Sequence, residues 1–299
     1  MKLVGFSRSL DENGRGIGSG ADFRYDLIHL CGGGAACDPG AVSDSLRLFV
    51  RPQLPDAALL LAFEGWNDAG QAATSAARFV TEAIRAVPLA EIDCEEFFDF
   101  TVTRPMVSLE DGVRQLEWPH LRFGYGAVDA TREIVVGLGS EPHLRWRTFE
   151  EACLALVREL GLQRVVVLGA YLADVVYSRP VAVTGLASDP ELLERLGVSS
   201  SGYEGPTGIA GTLVDRFRRE GLDVVSLWAG LPHYITASPN PRGALALVQC
   251  LAQLLDLKLD TEGLRREAAR FEEKISELVS GDPELVEYVR QLKKREFAQ

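Results

Sequence analysis

Ala58-Leu59-Leu60-Leu61-Ala62-Phe63, followed at once by Glu64-Gly65-Trp66-Asn67-Asp68-Ala69-Gly70, is the stretch on which the reading of this chain turns. Six apolar residues in a row leave no polar face, which suits a β-strand buried on both sides. The polar residues after it form a short loop, Glu64–Asp68. A helical stretch then runs through Val87 and is stopped by Pro88. A doubly buried strand feeding a helix is the building unit of a sheet covered by helices on both faces.

Working outward, the same patterning predicts strands at Glu95–Phe100, Leu121–Tyr125, Arg132–Leu138, Arg164–Gly169, Val181–Leu186 and Asp223–Trp228. Helices are predicted between the later ones. Thr148–Leu160 carries Thr148-x-x-Glu151 as a capping box, and Ser188-x-x-Glu191 opens a shorter helix. Thr207–Glu220 and Ala244–Leu255 complete the set. Strand-helix alternation predicts an α/β fold with a mostly parallel sheet flanked by helices. Beyond Leu257 the chain turns highly charged. Leu264, Ala268, Phe271, Ile275 and Leu278 recur at helical spacing, and Asp282-Pro283 reads as an N-cap with proline at the first helical position. A second stripe, Leu285 to Leu292, makes 257–299 a C-terminal helical hairpin that packs on the domain or meets a partner.

The first 45 residues differ. Nine glycines fall among the first forty positions, with few apolar groups to offset the entropy of ordering them. Their spacing lacks the strand and helix of a dinucleotide fingerprint. The expected organisation is a flexible extension over 1–45, an α/β domain over 46–256 and the helical segment over 257–299.

Composition removes several classes. The 299 residues are 46% hydrophobic and 25% charged, an ordinary globular balance. The formal charge of −12, from 31 basic and 43 acidic side chains, gives no footprint for nucleic acid. No apolar run approaches the roughly 20 residues of a membrane span. The five cysteines, Cys31, Cys37, Cys94, Cys153 and Cys250, are odd in number and widely spaced, which fits neither a disulfide framework nor a zinc site. The N-terminus lacks the apolar core of a secretory signal, so a cytoplasmic protein is expected. No metal and no cofactor are expected.

Four loops carry groups capable of chemistry. After the first strand, Glu64 and Asp68 supply carboxylates, Trp66 an aromatic face, and Gly65 and Gly70 close backbone approach; a strand-to-helix turn with Asp68 as N-cap accounts for them equally. In Ala173-Asp174-Val175-Val176-Tyr177-Ser178-Arg179-Pro180, Arg179 could hold a carboxylate or phosphate, or pair with Asp174. Tyr203-Glu204-Gly205-Pro206-Thr207-Gly208 leads into a helix whose first turn contains Thr207. Its amides could cradle an anion, although the loop lacks the lysine of a P-loop. Around Trp228, Pro232-His233-Tyr234 offers an imidazole as acid or base, with no serine or cysteine nucleophile marked beside it.

Leu59 to Gly70, Tyr203 to Ile209, and Ser226 to Ala229 with Pro232-His233-Tyr234 resemble, in this order, motifs of the PAC2 family, named for proteasome assembly chaperone 2, in its bacterial branch. The resemblance covers roughly Leu46 to Leu257, and the charged helical tail also fits. One position departs. Where the bacterial pattern commonly reads Pro-His-Thr-Arg-Pro, this chain has Val176-Tyr177-Ser178-Arg179-Pro180, with Tyr177 in place of the histidine, which puts in doubt any catalytic mechanism that requires that imidazole. The resemblance implies a fold similar to purine nucleoside phosphorylases and homo-oligomers, with trimers by analogy to that fold. Its eukaryotic members are chaperones of proteasome ring assembly, and its bacterial members have no established reaction.

Two readings follow. The first is a non-catalytic assembly chaperone or scaffold that binds a protein partner. The alternative is a phosphorylase-like enzyme or binder of an anionic or nucleoside-type small molecule. There Arg179 and the Gly205–Gly208 turn would hold the anion, Trp228 or Tyr234 would stack on a base, Glu204 or Asp68 would fix polar groups, and His233 would serve as acid or base.

Overall fold

The computed structural model describes residues 41–43, 45–129 and 132–296. The strands are β1 (Ala41–Ser43), β2 (Leu46–Leu48), β3 (Ala58–Glu64), β4 (Val87–Ile92), β5 (Met106–Glu110), β6 (Val113–Glu117), β7 (Leu121–Asp129), β8 (Arg132–Ser140), β9 (Arg164–Ala173), β10 (Val183–Ala187), β11 (Ser199–Ser200) and β12 (Asp223–Pro232). The helices are α1 (Ala72–Ala83), α2 (Trp146–Leu160), α3 (Pro190–Arg195), α4 (Ile209–Arg219), α5 (Pro241–Leu255), α6 (Glu262–Gly281) and α7 (Pro283–Glu296). The glycine-rich stretch 1–40 lies outside the described residues. The sheet begins at Ala41, within the segment assigned above to the extension, where β1 pairs with β2.

Ten strands form one sheet in the order β1-β2-β4-β7-β8-β3-β9-β12-β10-β11. Its centre, β8-β3-β9-β12, is parallel, and antiparallel strands extend it on both sides. Strand β3 sits in the middle, and Leu59, Leu60, Leu61, Ala62 and Phe63 are fully buried. Leu59, Leu61 and Phe63 join α2 and α4 in one core layer, while Leu60 and Ala62 join α1 and α5 in the other. Burying its four large side chains contributes on the order of 10 kcal/mol before entropy is charged, as much as the net stability of a whole domain. Phe149 of α2 anchors its layer, with its ring edge-on to Phe97 at 5.3 Å and to Phe63 at 6.1 Å.

Several local expectations are corrected. The helix after β3 ends at Ala83, not Val87, because Arg85 takes a left-handed conformation (φ 49°) and Ala86 N–H turns back to Thr81 O. Val87–Ile92 is instead a strand, and Pro88 is tolerated at a register irregularity beyond the reach of β2. Glu95–Phe100 is no strand. Asp93 accepts the Glu95 amide at 2.8 Å and Asp99 accepts the Thr101 amide at 2.8 Å, so side-chain turns bend the segment while Phe97 and Phe98 are buried.

The capping predictions shift too. Helix α2 starts at Trp146, ahead of Thr148, and Glu151 pairs with Arg158 and Arg216. Ser188 is occupied by the Val224 amide, leaving Asp189 to cap α3. Helix α4 begins at Ile209, so Thr207 precedes it. Asp282 does cap α7, accepting the Glu284 amide at 2.9 Å.

The C-terminal hairpin, α6 and α7, packs on the domain. Ile275, Val279, Leu285, Val289 and Leu292 form a third buried cluster with Val176, Tyr234 and Ile235. Cys153 is buried, and burial pushes its thiol up; Cys94 and Cys250 are half-buried. Among the described residues no helix is long and apolar enough to cross a membrane. Phe149→Ala empties the aromatic contact between α2 and the sheet, and a loss of about 3–5 kcal/mol in urea unfolding is expected.

Candidate functional site

The carboxyl ends of the parallel strands set the loops side by side, as this architecture requires. Glu64 ends β3, where it is ion-paired to Arg78 and accepts the Ser140 hydroxyl at 3.4 Å. Gly65 follows at φ 122°, a conformation that side chains resist. Trp66 then stands 62% exposed, while Asn67 and Asp68 turn inward. The Ala170 amide donates to Asn67 O at 2.8 Å and pins this loop to β9.

Asp68 caps α1 from four residues upstream. Its Oδ1 accepts the amides of Ala73 (2.8 Å) and Thr74 (3.2 Å), and its Oδ2 accepts the Thr74 hydroxyl. Burial raises its pKa above the usual carboxylate range, partly offset by these donors and reinforced by Glu64 nearby.

The residue that organises this end is one the sequence reading passes over. Glu141, just past β8, accepts the Asn67 side-chain amide and the Ile209 amide on one oxygen, both at 2.8 Å; its other oxygen lies 3.4 Å from Trp66 N. It therefore fills the start of α4, where the expected anion cradle holds the chain's own carboxylate. Gly208 is required there, since a Cβ would collide with Asn67 and Glu141. Asn67 Oδ1 is left buried with no hydrogen-bond partner among the described residues. Glu204, Gly205 and Thr207 are exposed in front of the helix, with Tyr203 OH donating to Pro206 O at 2.8 Å. The missed signal was Gly139-Ser140-Glu141-Pro142, a carboxylate beyond a strand end, hidden because that strand was expected to stop at Leu138.

A second group forms beside the first, tied to it by Asn240 N–H donating to Gly70 O at 2.7 Å. Tyr234 is fully buried, its hydroxyl donating to Val175 O (3.0 Å) and accepting from Tyr177 N (2.9 Å). Burial pushes its pKa up to about 12 and leaves no ring face for stacking a base. Trp228 lies over Gly169, with its indole N–H donating to Ser226 Oγ at 2.7 Å, which makes it a packing residue.

His233 Nδ1 is 3.0 Å from Asp174 Oδ1, and its ring meets Tyr288 of α7 edge-on at 5.7 Å. Arg179 pairs with Glu296 at 3.3 Å, not with Asp174. Arg242 pairs with Glu272 at 3.4 Å and donates to Arg179 O at 2.6 Å. These four charged residues line a cavity of about 150 Å³ under the C-terminal hairpin. The four loops thus form two groups, one around Glu141 and one under α6 and α7.

The PAC2 family model matches residues 62–279. The chain belongs to the PAC2 family. A PAC2 family protein of Streptomyces avermitilis is 39% identical, covering 78% of this chain and 100% of its own, with a TM-score of 0.71. A proteasome-assembly chaperone homologue of Mycobacterium tuberculosis is likewise 39% identical over 78% of this chain and 99% of its own, TM-score 0.71. An archaeal proteasome activator of Pyrococcus furiosus, at 19% identity over 78% of this chain and 98% of its own with a TM-score of 0.62, shares the fold. No curated protein matches the chain. The PAC2 match includes Glu64 to Gly70 and Glu141, so both sides of the Glu141 bridge lie inside the shared domain.

Glu141→Ala strands the Ile209 amide and the Asn67 side chain, and should cost about 1–3 kcal/mol in urea unfolding; Glu141→Gln, which keeps an acceptor, should cost less. Asp68 gives a pH test. Its raised pKa means that the folded chain holds this proton more readily than the unfolded one, so stability is lost as pH rises through the raised value. Asp68→Asn removes that loss. Thermal unfolding followed from about pH 3 to about pH 7 should therefore move progressively in the variant's favour relative to wild type.

Proposed function

We propose that this PAC2 protein is a non-catalytic assembly chaperone or scaffold that acts by binding another protein, with subunits of a proteasome-type ring as the first partner to test. The observation that carries the reading is the fate of the reactive side chains. Glu64 is held by Arg78, Arg179 by Glu296 and His233 by Asp174, and the Tyr234 hydroxyl is saturated by backbone. By contrast Trp66 and Tyr203 are 62% and 65% exposed, the first in the loop that Glu141 holds and the second in the loop before α4. Large exposed aromatics on a rigid support are what a protein contact uses as anchors. Kinship with proteasome-assembly chaperone homologues supports the same role, and a cytoplasmic location goes with it.

The phosphorylase-like alternative draws little support. A cavity of about 150 Å³ is the size that accepts benzene, too small for a nucleoside. Its two guanidinium groups are each engaged by a carboxylate from the C-terminal helices.

The test mixes the purified chain with ring subunits encoded in the same genome and reads complex formation by native mass spectrometry. Trp66→Ala combined with Tyr203→Ala should weaken the complex by roughly 100-fold; absence of any complex in wild type at tens of micromolar would sink the proteasome reading. Phosphate, sulfate and nucleosides at millimolar concentration should leave the unfolding temperature unchanged. A shift that disappears in Arg179→Ala would instead favour the ligand reading.

A further inference from the structure

The cavity under the C-terminal hairpin contains a hydrogen-bond donor that the contacts described so far leave over. Val176, Val181, Leu231 and Ile235 of the α/β domain form one side of it, and Phe271 and Ile275 of α6 the other. Two ion pairs also line it, each joining the domain to the hairpin: Arg179 with Glu296 at 3.3 Å and Arg242 with Glu272 at 3.4 Å. Two guanidinium charges are thus balanced by two carboxylates. A further charge brought into this space would enter it uncompensated.

Asn240, which precedes α5, lines the same cavity and is 5% exposed. Its Oδ1 accepts the Arg242 and Gly243 amides, both at 3.1 Å, and so caps the helix. Capping fixes the orientation of the side-chain amide and turns its NH2 away from the helix start. That NH2 has no acceptor among the described residues. It is not sealed off either, because the enclosed and unpartnered side-chain atom among the described residues is Asn67 Oδ1. The space left open to it is the cavity. A buried amide donor is costly to leave without an acceptor, so an oxygen belongs opposite it. A water would satisfy the donor but gain nothing from the apolar walls.

We infer that this cavity is a binding site for a small neutral molecule, an apolar body bearing one carbonyl-type oxygen that accepts from the Asn240 NH2. Three features fix the class. A volume of about 150 Å³ suits a single six-membered ring, the size of benzene. The balanced ion pairs favour a neutral ligand over an anion. The unused group is a donor, so the ligand supplies the acceptor, and a few polar groups in an apolar pocket are what orient such a ligand. Because α6 forms one wall, the bound molecule also fastens the hairpin to the domain. The site is separate from the protein contact proposed above and uses neither Trp66 nor Tyr203.

Cyclohexanone is the probe, with toluene as a ring that has no acceptor and benzoate as a charged one. In methyl NMR spectra of the full chain, cyclohexanone should shift the Ile235 and Ile275 signals saturably, with a Kd of about 1 mM or tighter. Hydrogen exchange in α6 should slow in its presence. Toluene should bind about tenfold more weakly, as the loss of one hydrogen bond predicts, and benzoate should leave these signals unmoved. Asn240→Asp keeps the capping oxygen and removes the NH2. It should lower cyclohexanone affinity about tenfold and leave that of toluene unchanged. The three probes on wild type decide the matter should this variant misfold. Absence of a saturable shift with cyclohexanone overturns the inference, as does equal affinity for toluene or any tighter binding of benzoate. So does a folded Asn240→Asp chain that binds cyclohexanone as wild type does.

Discussion

Two-sided burial of Ala58–Phe63 is the constraint from which the rest of the architecture follows. A strand with no polar face must have helices above and below it, and α2 with α4 on one side and α1 with α5 on the other supply that cover. Its parallel neighbours β8 and β9 then end at the same edge of the sheet. The loops carrying most of the chain's unusual polar residues are gathered there by topology before any of their own interactions form.

What those loops do once gathered is decided by charges meeting charges. Glu141 ties the loop after β3 to the start of α4, and Asp68 closes the start of α1. Under the C-terminal hairpin, Arg179 and Arg242 meet Glu296 and Glu272. An edge rich in potential catalytic groups is in this way spent on holding itself together. The side chains it leaves open include large aromatics, with Trp66, Tyr171 and Tyr203 all exposed, the type of residue that the proposed protein contact would use as anchors. The PAC2 family resemblance and the structure thus agree on an α/β scaffold, while the geometry moves the weight away from small-molecule chemistry.

The central strands were legible because continuous apolar runs have few other fates. The misreadings have local physical causes. Pro88 read as a helix stop, whereas the helix had already been ended by Arg85 in a left-handed conformation that no glycine announced. Phe97 and Phe98 suggested a strand, yet Asp93 and Asp99 fold that segment into side-chain turns. The hairpin of β5 and β6 could have been found, since Asp111-Gly112 between two short runs containing valine and leucine is a hairpin signal. Glu141 offered only the weaker signal of a carboxylate just past a strand end. A single carboxylate becomes an organising residue only through the partners that the fold brings to it.

The sequence by itself determined what depends on neighbours along the chain: the apolar strands, the proline-marked entry to α7 and the family kinship carried by three short motifs. Tertiary structure alone decided which polar side chains stay available. His233, Arg179 and Tyr234 look reactive in one dimension and find their partners at Asp174, Glu296 and Val175, up to 117 residues away. The physical reason is that hydrophobic periodicity is a local property, written within ten residues or so. Pairing of charges and hydrogen bonds is set by distances in space that only the folded sheet fixes.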